Sequence, residues 1–147
     1  KTFTGVEHRL ENFAIIKDVT YINDSKATNL DSVSVAIQSF NKPVVLILGG
    51  RNKGADFRLL LPHIKSSHVR DIISYGEAGG QISTAIGDAV RSVQVTDLNS
   101  AVKTAQRLAA PGDVVLLSPG CASFDQFANF EERGQYFKTK VMEMMAA

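Results

Sequence analysis

The sequence predicts an α/β domain. Its sheet is about six-stranded, mixed and mostly parallel, with one antiparallel strand from an N-terminal hairpin and helices on both faces. Three observations predict it. Val44-Val45-Leu46-Ile47-Leu48 and Val114-Val115-Leu116-Leu117 are apolar throughout, with no polar alternation, as in strands covered on both faces of a parallel sheet. Segments with apolar residues three and four apart recur between the β-prone runs, the mark of strand–helix–strand units. The stretch Tyr21-Ile22-Asn23-Asp24-Ser25-Lys26-Ala27-Thr28-Asn29-Leu30 passes from β-prone residues through small polar ones into a helical spacing.

The elements follow in order. Lys1 to Glu11 is loop-like. Asn12 to Lys17 and Thr20 to Ile22 are β-prone runs joined through Asp18-Val19, which makes them a hairpin. A helix capped by Thr28 or Asn29 carries Leu30, Val33, Ala36, Ile37 and Phe40 on one face and breaks at Asn41-Lys42-Pro43. After the strand Val44 to Leu48, Phe57, Leu60, Leu61 and Ile64 have helical spacing, and Pro62 makes that helix short or irregular. Val69 to Tyr75 is the next strand. Ile82, Ala85 and Ile86 mark a helix stopping near Gly87, and Ser92 to Val95 is a short strand. Thr96 or Asp97 caps the helix carrying Leu98, Val102, Ala105 and Leu108. Pro111-Gly112-Asp113 turns the chain into Val114 to Leu117, Ser118 to Ser123 is a loop, and Phe124 to Met145 is mostly helical.

Composition narrows the function. At 147 residues the chain is one domain, with a formal net charge of +1, so nothing in its charge favours nucleic acid or an anionic membrane. No apolar run approaches the ~20 residues of a membrane span. The single cysteine, Cys121, excludes an internal disulfide and fits a reducing compartment. Lys1 to Leu10 is polar, unlike a signal peptide, and there is no initiator Met. A domain cut from a longer protein is expected.

In a parallel sheet the loops after Ile22, Leu48 and Leu117 open on one edge, where α/β sheets bind their ligands. The first loop supplies Asp24, Ser25, Lys26 and Thr28. The second supplies Arg51 and Lys53, and the third Ser118, Ser123 and Asn129. Two lysines with hydroxyls and helix N-termini suit a small dicarboxylate, each carboxylate gaining charge-assisted hydrogen bonds. The plainer alternative is an ordinary strand-to-helix turn with solvated loop charges.

Other chemistries fail on spacing. Gly49 and Gly54 are placed like the first glycines of a P-loop, but Ala55-Asp56 follows where Lys and Ser/Thr are required. Gly76-Glu77-Ala78-Gly79-Gly80 does not match the dinucleotide fingerprint. Cys121 with His8, His63 or His68 makes a weak nucleophile pair, against the simpler reading of a packing cysteine. Zinc-ligand spacings are absent. Phe127, Phe130 and Phe137 read as core, with the alternative that Phe130 faces a pocket.

Four motifs carry a family resemblance. They are His8-Arg9-Leu10-Glu11, Asn23-Asp24-Ser25-Lys26-Ala27-Thr28-Asn29, Gly49-Gly50-Arg51-Asn52-Lys53-Gly54-Ala55-Asp56-Phe57, and Leu117-Ser118-Pro119-Gly120-Cys121-Ala122-Ser123-Phe124-Asp125-Gln126-Phe127, which continues to Gly134. With them the whole chain resembles the C-terminal domain of the Mur ligase family, in its D-glutamate-adding branch. Gly120 and Phe124 stand where that branch leads one to expect Ala and Leu.

The resemblance implies a Rossmann-like three-layer domain, one of three, with the N-terminal and central ATPase domains absent from this chain. It implies a bacterial, cytoplasmic, monomeric enzyme of peptidoglycan synthesis that uses ATP and Mg2+. That enzyme joins D-glutamate to UDP-N-acetylmuramoyl-L-alanine through an acyl phosphate. By motif position, Thr28, Lys53, Ser123 and Phe130 would contact D-glutamate, and Lys26 would be catalytic, at the junction with the reacting phosphate. His8, Arg9 and Asp24 would lie near the nucleotide. The fragment alone is expected to be inactive. The competing expectations are a stand-alone dicarboxylate- or amino-acid-binding module and a sibling ligase of different amino-acid specificity.

Overall fold

The computed structural model describes residues 6–146, so the beginning of the expected N-terminal loop, Gly5 included, lies outside the described residues. Six strands form one sheet: β1 (Glu11–Ile16), β2 (Val19–Asn23), β3 (Val44–Gly49), β4 (Val69–Tyr75), β5 (Arg91–Gln94) and β6 (Val114–Gly120), in the order β1-β2-β6-β3-β4-β5. Only β1 runs antiparallel, paired with β2; all other neighbours are parallel. The β1–β2 turn is the pair Lys17-Asp18, with φ of 52° and 64°. Positive φ at both turn residues matches the right-handed twist of hairpin strands, which explains so tight a connection without glycine.

The wholly apolar strands are covered on both faces. Alternate residues point to opposite layers. Ile22, Leu46, Leu48, Ile72 and Leu116 pack against α1 (Leu30–Ile37), α2 (Leu61–Lys65) and α3 (Gly79–Ile86). Tyr21, Val45, Ile47, Ile73, Val115 and Leu117 pack against α4 (Leu98–Leu108) and α5 (Phe130–Ala146). This is the three-layer α/β/α architecture expected.

Several boundaries differ from the expectation. α1 ends at Ile37, so Phe40 packs on the core from beyond the helix. Around Pro62 the chain forms a short 3-10 turn, Phe57–Leu60, and then α2, because proline fits only the first helical turn. β6 continues through Ser118-Pro119-Gly120, since Gly120 still pairs with Gly49 after a register shift. The last helix starts at Phe130 and not at Phe124. Asn129 sets that start by accepting a hydrogen bond from the Glu132 amide at 2.7 Å. Phe124 is therefore an exposed loop residue, while Phe137 is fully buried in the core.

No helix among the described residues is long and apolar enough to cross a membrane.

Candidate functional site

The three adjacent parallel strands β2, β6 and β3 send their following loops to one edge, and backbone hydrogen bonds stitch those loops together. Asp24 N donates to Leu117 O at 2.8 Å and Gly120 N to Ala27 O at 2.8 Å, joining the first loop to the end of β6, from which the third loop leaves. Arg51 and Ala122 exchange N–H···O bonds of 2.8 and 3.1 Å, joining the second to the third. Gly50, at φ +123°, makes that second junction possible, because a Cβ there would collide with the Ala122 carbonyl. The N-terminal strap closes on the same edge. Lys26 N donates to His8 O at 2.9 Å, and Leu10 N donates to Asp24 Oδ1 at 3.0 Å.

A cleft of about 530 Å3 opens between the strap, the first loop and α1, lined in part by Arg9, Asp24, Lys26, Thr28 and Asn29. Lys26, Thr28 and Arg9 are exposed there. Asp24 is buried, and both its oxygens are engaged, Oδ2 accepting from Ser118 Oγ at 2.8 Å. Burial pushes its carboxyl above the ordinary range, and the bonds from Ser118 and Leu10 only partly offset this. Asp24 therefore ties strap, first loop and β6 together.

His8 is buried, and its surroundings fix its tautomer. Asn23 Oδ1 accepts from Ser25 N at 3.2 Å, so its Nδ2 group is the donor, to Glu11 Oε1 and to His8 Nδ1, each at 2.9 Å. His8 Nδ1 is thus an acceptor, and the ring proton sits on Nε2.

Lys53, Ser123 and Phe130 do not line this cleft. Lys53 is exposed on the second loop, with its ammonium 5.7 Å from the centre of the Phe124 ring. Ser123 is buried at the end of the third loop. Phe130 is half-buried at the start of α5, edge-on to His8 with ring centres 6.0 Å apart. The structure therefore brings Lys26, Thr28, Arg9 and Asp24 into one cleft, and sets Lys53 on the second loop, Ser123 on the third and Phe130 at the start of α5.

Three further residues on these loops are already occupied. Arg51 makes a two-pronged ion pair with Glu77 at 3.1 Å on each prong, Ser118 is bound to Asp24, and Asn129 caps α5. Among the described residues no ion pair engages Lys26 or Lys53. Cys121 is buried, its thiol pushed up to about 12 by burial, against the pull of the nearby Arg133 charge. That removes it as a nucleophile.

The residue missed by sequence reasoning is Arg133 in α5, which is 0% exposed. Its Nε donates to Ser25 Oγ at 2.9 Å, its Nη2 to Ser25 O at 2.8 Å and its Nη1 to Cys121 O at 2.9 Å. The signal was its spacing. Arg133 stands four residues before Phe137 and eight before Val141, both fully buried, so a charge falls on the apolar face of a helix.

The family model for the Mur ligase glutamate ligase domain matches residues 8–121, from the strap into the third loop. The chain belongs to the Mur ligase family. Among Mur ligases, the UDP-N-acetylmuramoylalanine--D-glutamate ligase of Chlamydia caviae is 48% identical over 146 residues, covering 99% of this chain and 35% of that protein. The ligase of the same name from Desulfatibacillum aliphaticivorans is 49% identical over 135 residues, covering 92% of this chain and 30% of that protein. The chain thus spans about a third of the length of these relatives.

Solved Mur ligases share the fold at low identity. The UDP-N-acetylmuramate-alanine ligase MurC of Thermotoga maritima superposes with a TM-score of 0.66 at 13% identity, over 95% of this chain and 31% of that one. A domain from a putative UDP-N-acetylmuramate:L-alanyl-gamma-D-glutamyl-medo-diaminopimelate ligase of Haemophilus ducreyi superposes with a TM-score of 0.54 at 17% identity, over 89% of this chain and 98% of that one.

Proposed function

We propose that this chain is the amino-acid-binding domain of an ATP-dependent ligase that adds D-glutamate to UDP-N-acetylmuramoyl-L-alanine in peptidoglycan synthesis. The observation that carries the reading is the pair Lys26 and Lys53. They are exposed on the loops that flank the third loop on one sheet edge, without a carboxylate partner among the described residues. The names of the relatives at 48% and 49% identity supply the substrate.

In this reading Lys53, Thr28, Ser123 and Phe130 hold D-glutamate. Lys53 takes a carboxylate as a charge-assisted pair, and Thr28 and Ser123 offer neutral hydrogen bonds. Lys26 offsets the charge that builds as the amine attacks the acyl phosphate. Arg9, exposed beside it, reaches the phosphates of ATP, which the rest of the enzyme binds. His8 and Asp24 serve the nucleotide side by holding the strap, since His8 Nδ1 and both Asp24 oxygens are engaged within the domain.

ATP activates the carboxylate of UDP-N-acetylmuramoyl-L-alanine as an acyl phosphate. That transfer of the γ-phosphoryl group releases ADP. The amine of D-glutamate attacks the acyl phosphate, and the tetrahedral intermediate loses a proton and expels phosphate to give the amide. The domain's task is to bring the amine into line and exclude water. Mg2+ has its place in the central domain. The isolated domain is then inactive, and the whole enzyme is a cytoplasmic monomer.

The test is a two-dimensional NMR titration of the domain with D-glutamate, with L-glutamate as control. The expected result is amide shifts at Thr28, Lys53, Ser123 and Phe130 with the D-enantiomer only. Equal shifts with both enantiomers, or no shift in either the domain or the full-length enzyme, would overturn the reading.

A further inference from the structure

The buried guanidinium of Arg133 is an expensive feature to keep. A charge removed from water is tolerated only where hydrogen bonds replace its hydration. Arg133 makes no ion pair with a carboxylate among the described residues. Its donors go instead to main-chain carbonyls at two places, Ser25 O in the first loop and Cys121 O in the third, and to the Ser25 hydroxyl. That hydroxyl in turn donates to Phe130 O at 2.7 Å, the first residue of α5. One guanidinium therefore fixes three pieces of backbone relative to one another. Each piece adjoins a residue of the proposed ligand set: Ser25 precedes Lys26 and Thr28, Cys121 precedes Ser123, and Phe130 is itself a member.

We infer that Arg133 and Ser25 are positioning residues for amino-acid binding: a clamp that sets the Lys26–Thr28 loop, the Ser123 loop and Phe130 in register as a single receptor. The inference rests on the D-glutamate reading above. The planar fork suits the task, because its N–H groups point in fixed directions at separate acceptors. A lysine at the same position would keep the charge but could not span both loops.

The test uses the full-length ligase containing this chain. Arg133→Lys is expected to raise the KM for D-glutamate on the order of tenfold or more, as displaced binding groups do, while the KM for ATP stays within about twofold. Ser25→Ala removes only the hydroxyl relay and is expected to raise the KM for D-glutamate by a smaller factor, again leaving ATP unaffected. Because both act through one clamp, Arg133→Lys with Ser25→Ala is expected to match Arg133→Lys alone.

A merely structural role would lower the melting temperature without separating the two KM values. Unchanged D-glutamate KM in both folded variants, or equal rises for D-glutamate and ATP, would overturn the clamp. If Arg133→Lys does not fold, Ser25→Ala decides by the same split. Lys53→Ala is the control. If it raises the D-glutamate KM while the clamp variants do not, the clamp alone fails. If it too has no effect, the D-glutamate reading fails and takes the clamp with it.

Discussion

His8 packs directly on the backbone of Gly134, and a Cβ built at Gly134 would overlap the imidazole Nδ1. The contact locks the N-terminal strap to α5 across the end of β2. The ring cannot easily yield, because Asn23 holds its Nδ1 and Phe130 packs edge-on against it.

Gly134→Ala is expected to destabilise the domain. Replacing glycine within a helix would by itself gain about 1 kcal/mol, but overpacking costs about 1–3 kcal/mol and the clash prevails. Urea unfolding of Gly134→Ala, His8→Ala and the double variant checks it. The double variant should recover part of the sum of the two losses, since removing the ring makes room for the methyl. Strict additivity would show that the two residues do not meet.

Lys53→Ala in the full-length enzyme should raise the KM for D-glutamate far more than that for ATP. Thr28→Ala should do the same more weakly, because a neutral hydrogen bond contributes about 1 kcal/mol and one to a charge about 1.5–3 kcal/mol. Steady-state kinetics with each substrate varied in turn measures both. Equal effects on the two KM values would remove Lys53 from the D-glutamate carboxylate.

The opposite end of the sheet makes a stability prediction. Asp71 is 1% exposed and accepts hydrogen bonds from Arg70 and Arg91, while Arg70 also pairs with Asp113 at 2.8 Å. Burial alone would push the Asp71 carboxyl up, but the two arginines outweigh it and hold it below the usual range. A carboxyl held low in the folded state adds stability that is complete above its unfolded value of about 3.9. That stability drains away as the pH falls through the lower folded value. Asp71→Asn should therefore cost about 1–3 kcal/mol at neutral pH and flatten the acid side of the stability curve. Urea midpoints between about pH 2 and pH 7 would show it, and a parallel acid limb in the variant would count against it.

Cys121 should resist alkylation in the native protein. Burial pushes its thiol up to about 12, which starves alkylation of the thiolate it needs, and the residue is 2% exposed. Intact mass spectrometry after iodoacetamide should show no adduct under native conditions and one adduct in urea. Rapid native labelling would mean that the third loop opens.

The fold was legible where one physical signal dominated. Wholly apolar runs marked β3 and β6, and the paired cap candidates Thr28 or Asn29 and Thr96 or Asp97 marked where α1 and α4 begin, with Asn29 and Asp97 the ones that accept the amide bonds. Most of Phe124 to Met145 is helical as expected, but the apolar rhythm of Phe124 and Phe127 does not mark the start of α5, because the chain there is looped and the cap at Asn129 begins the helix. At the site, topology was enough to place the three loops on one edge. It was not enough to separate the exposed Lys26 from the engaged Arg51, since ion pairing with Glu77 depends on a contact 26 residues away in sequence. Arg133 escaped notice because its partners are main-chain carbonyls, which leave no trace in residue identity.

The sheet order has a consequence for synthesis. β6, the last strand made, is inserted between β2 and β3 and pairs with both. Until it emerges from the ribosome, the nascent chain carries two strands, β2 and β3, that do not pair with each other and whose facing edges lack the partner strand, each rich in unpaired N–H and C=O groups. Such edges recruit other strands, so this domain closes late and nearly all at once, with a built-in interval of vulnerability to misassembly. The stitching of the three loops belongs to that same final event. A nascent chain stopped before Gly120 would hold the lysines of the first two loops and no receptor to set them in.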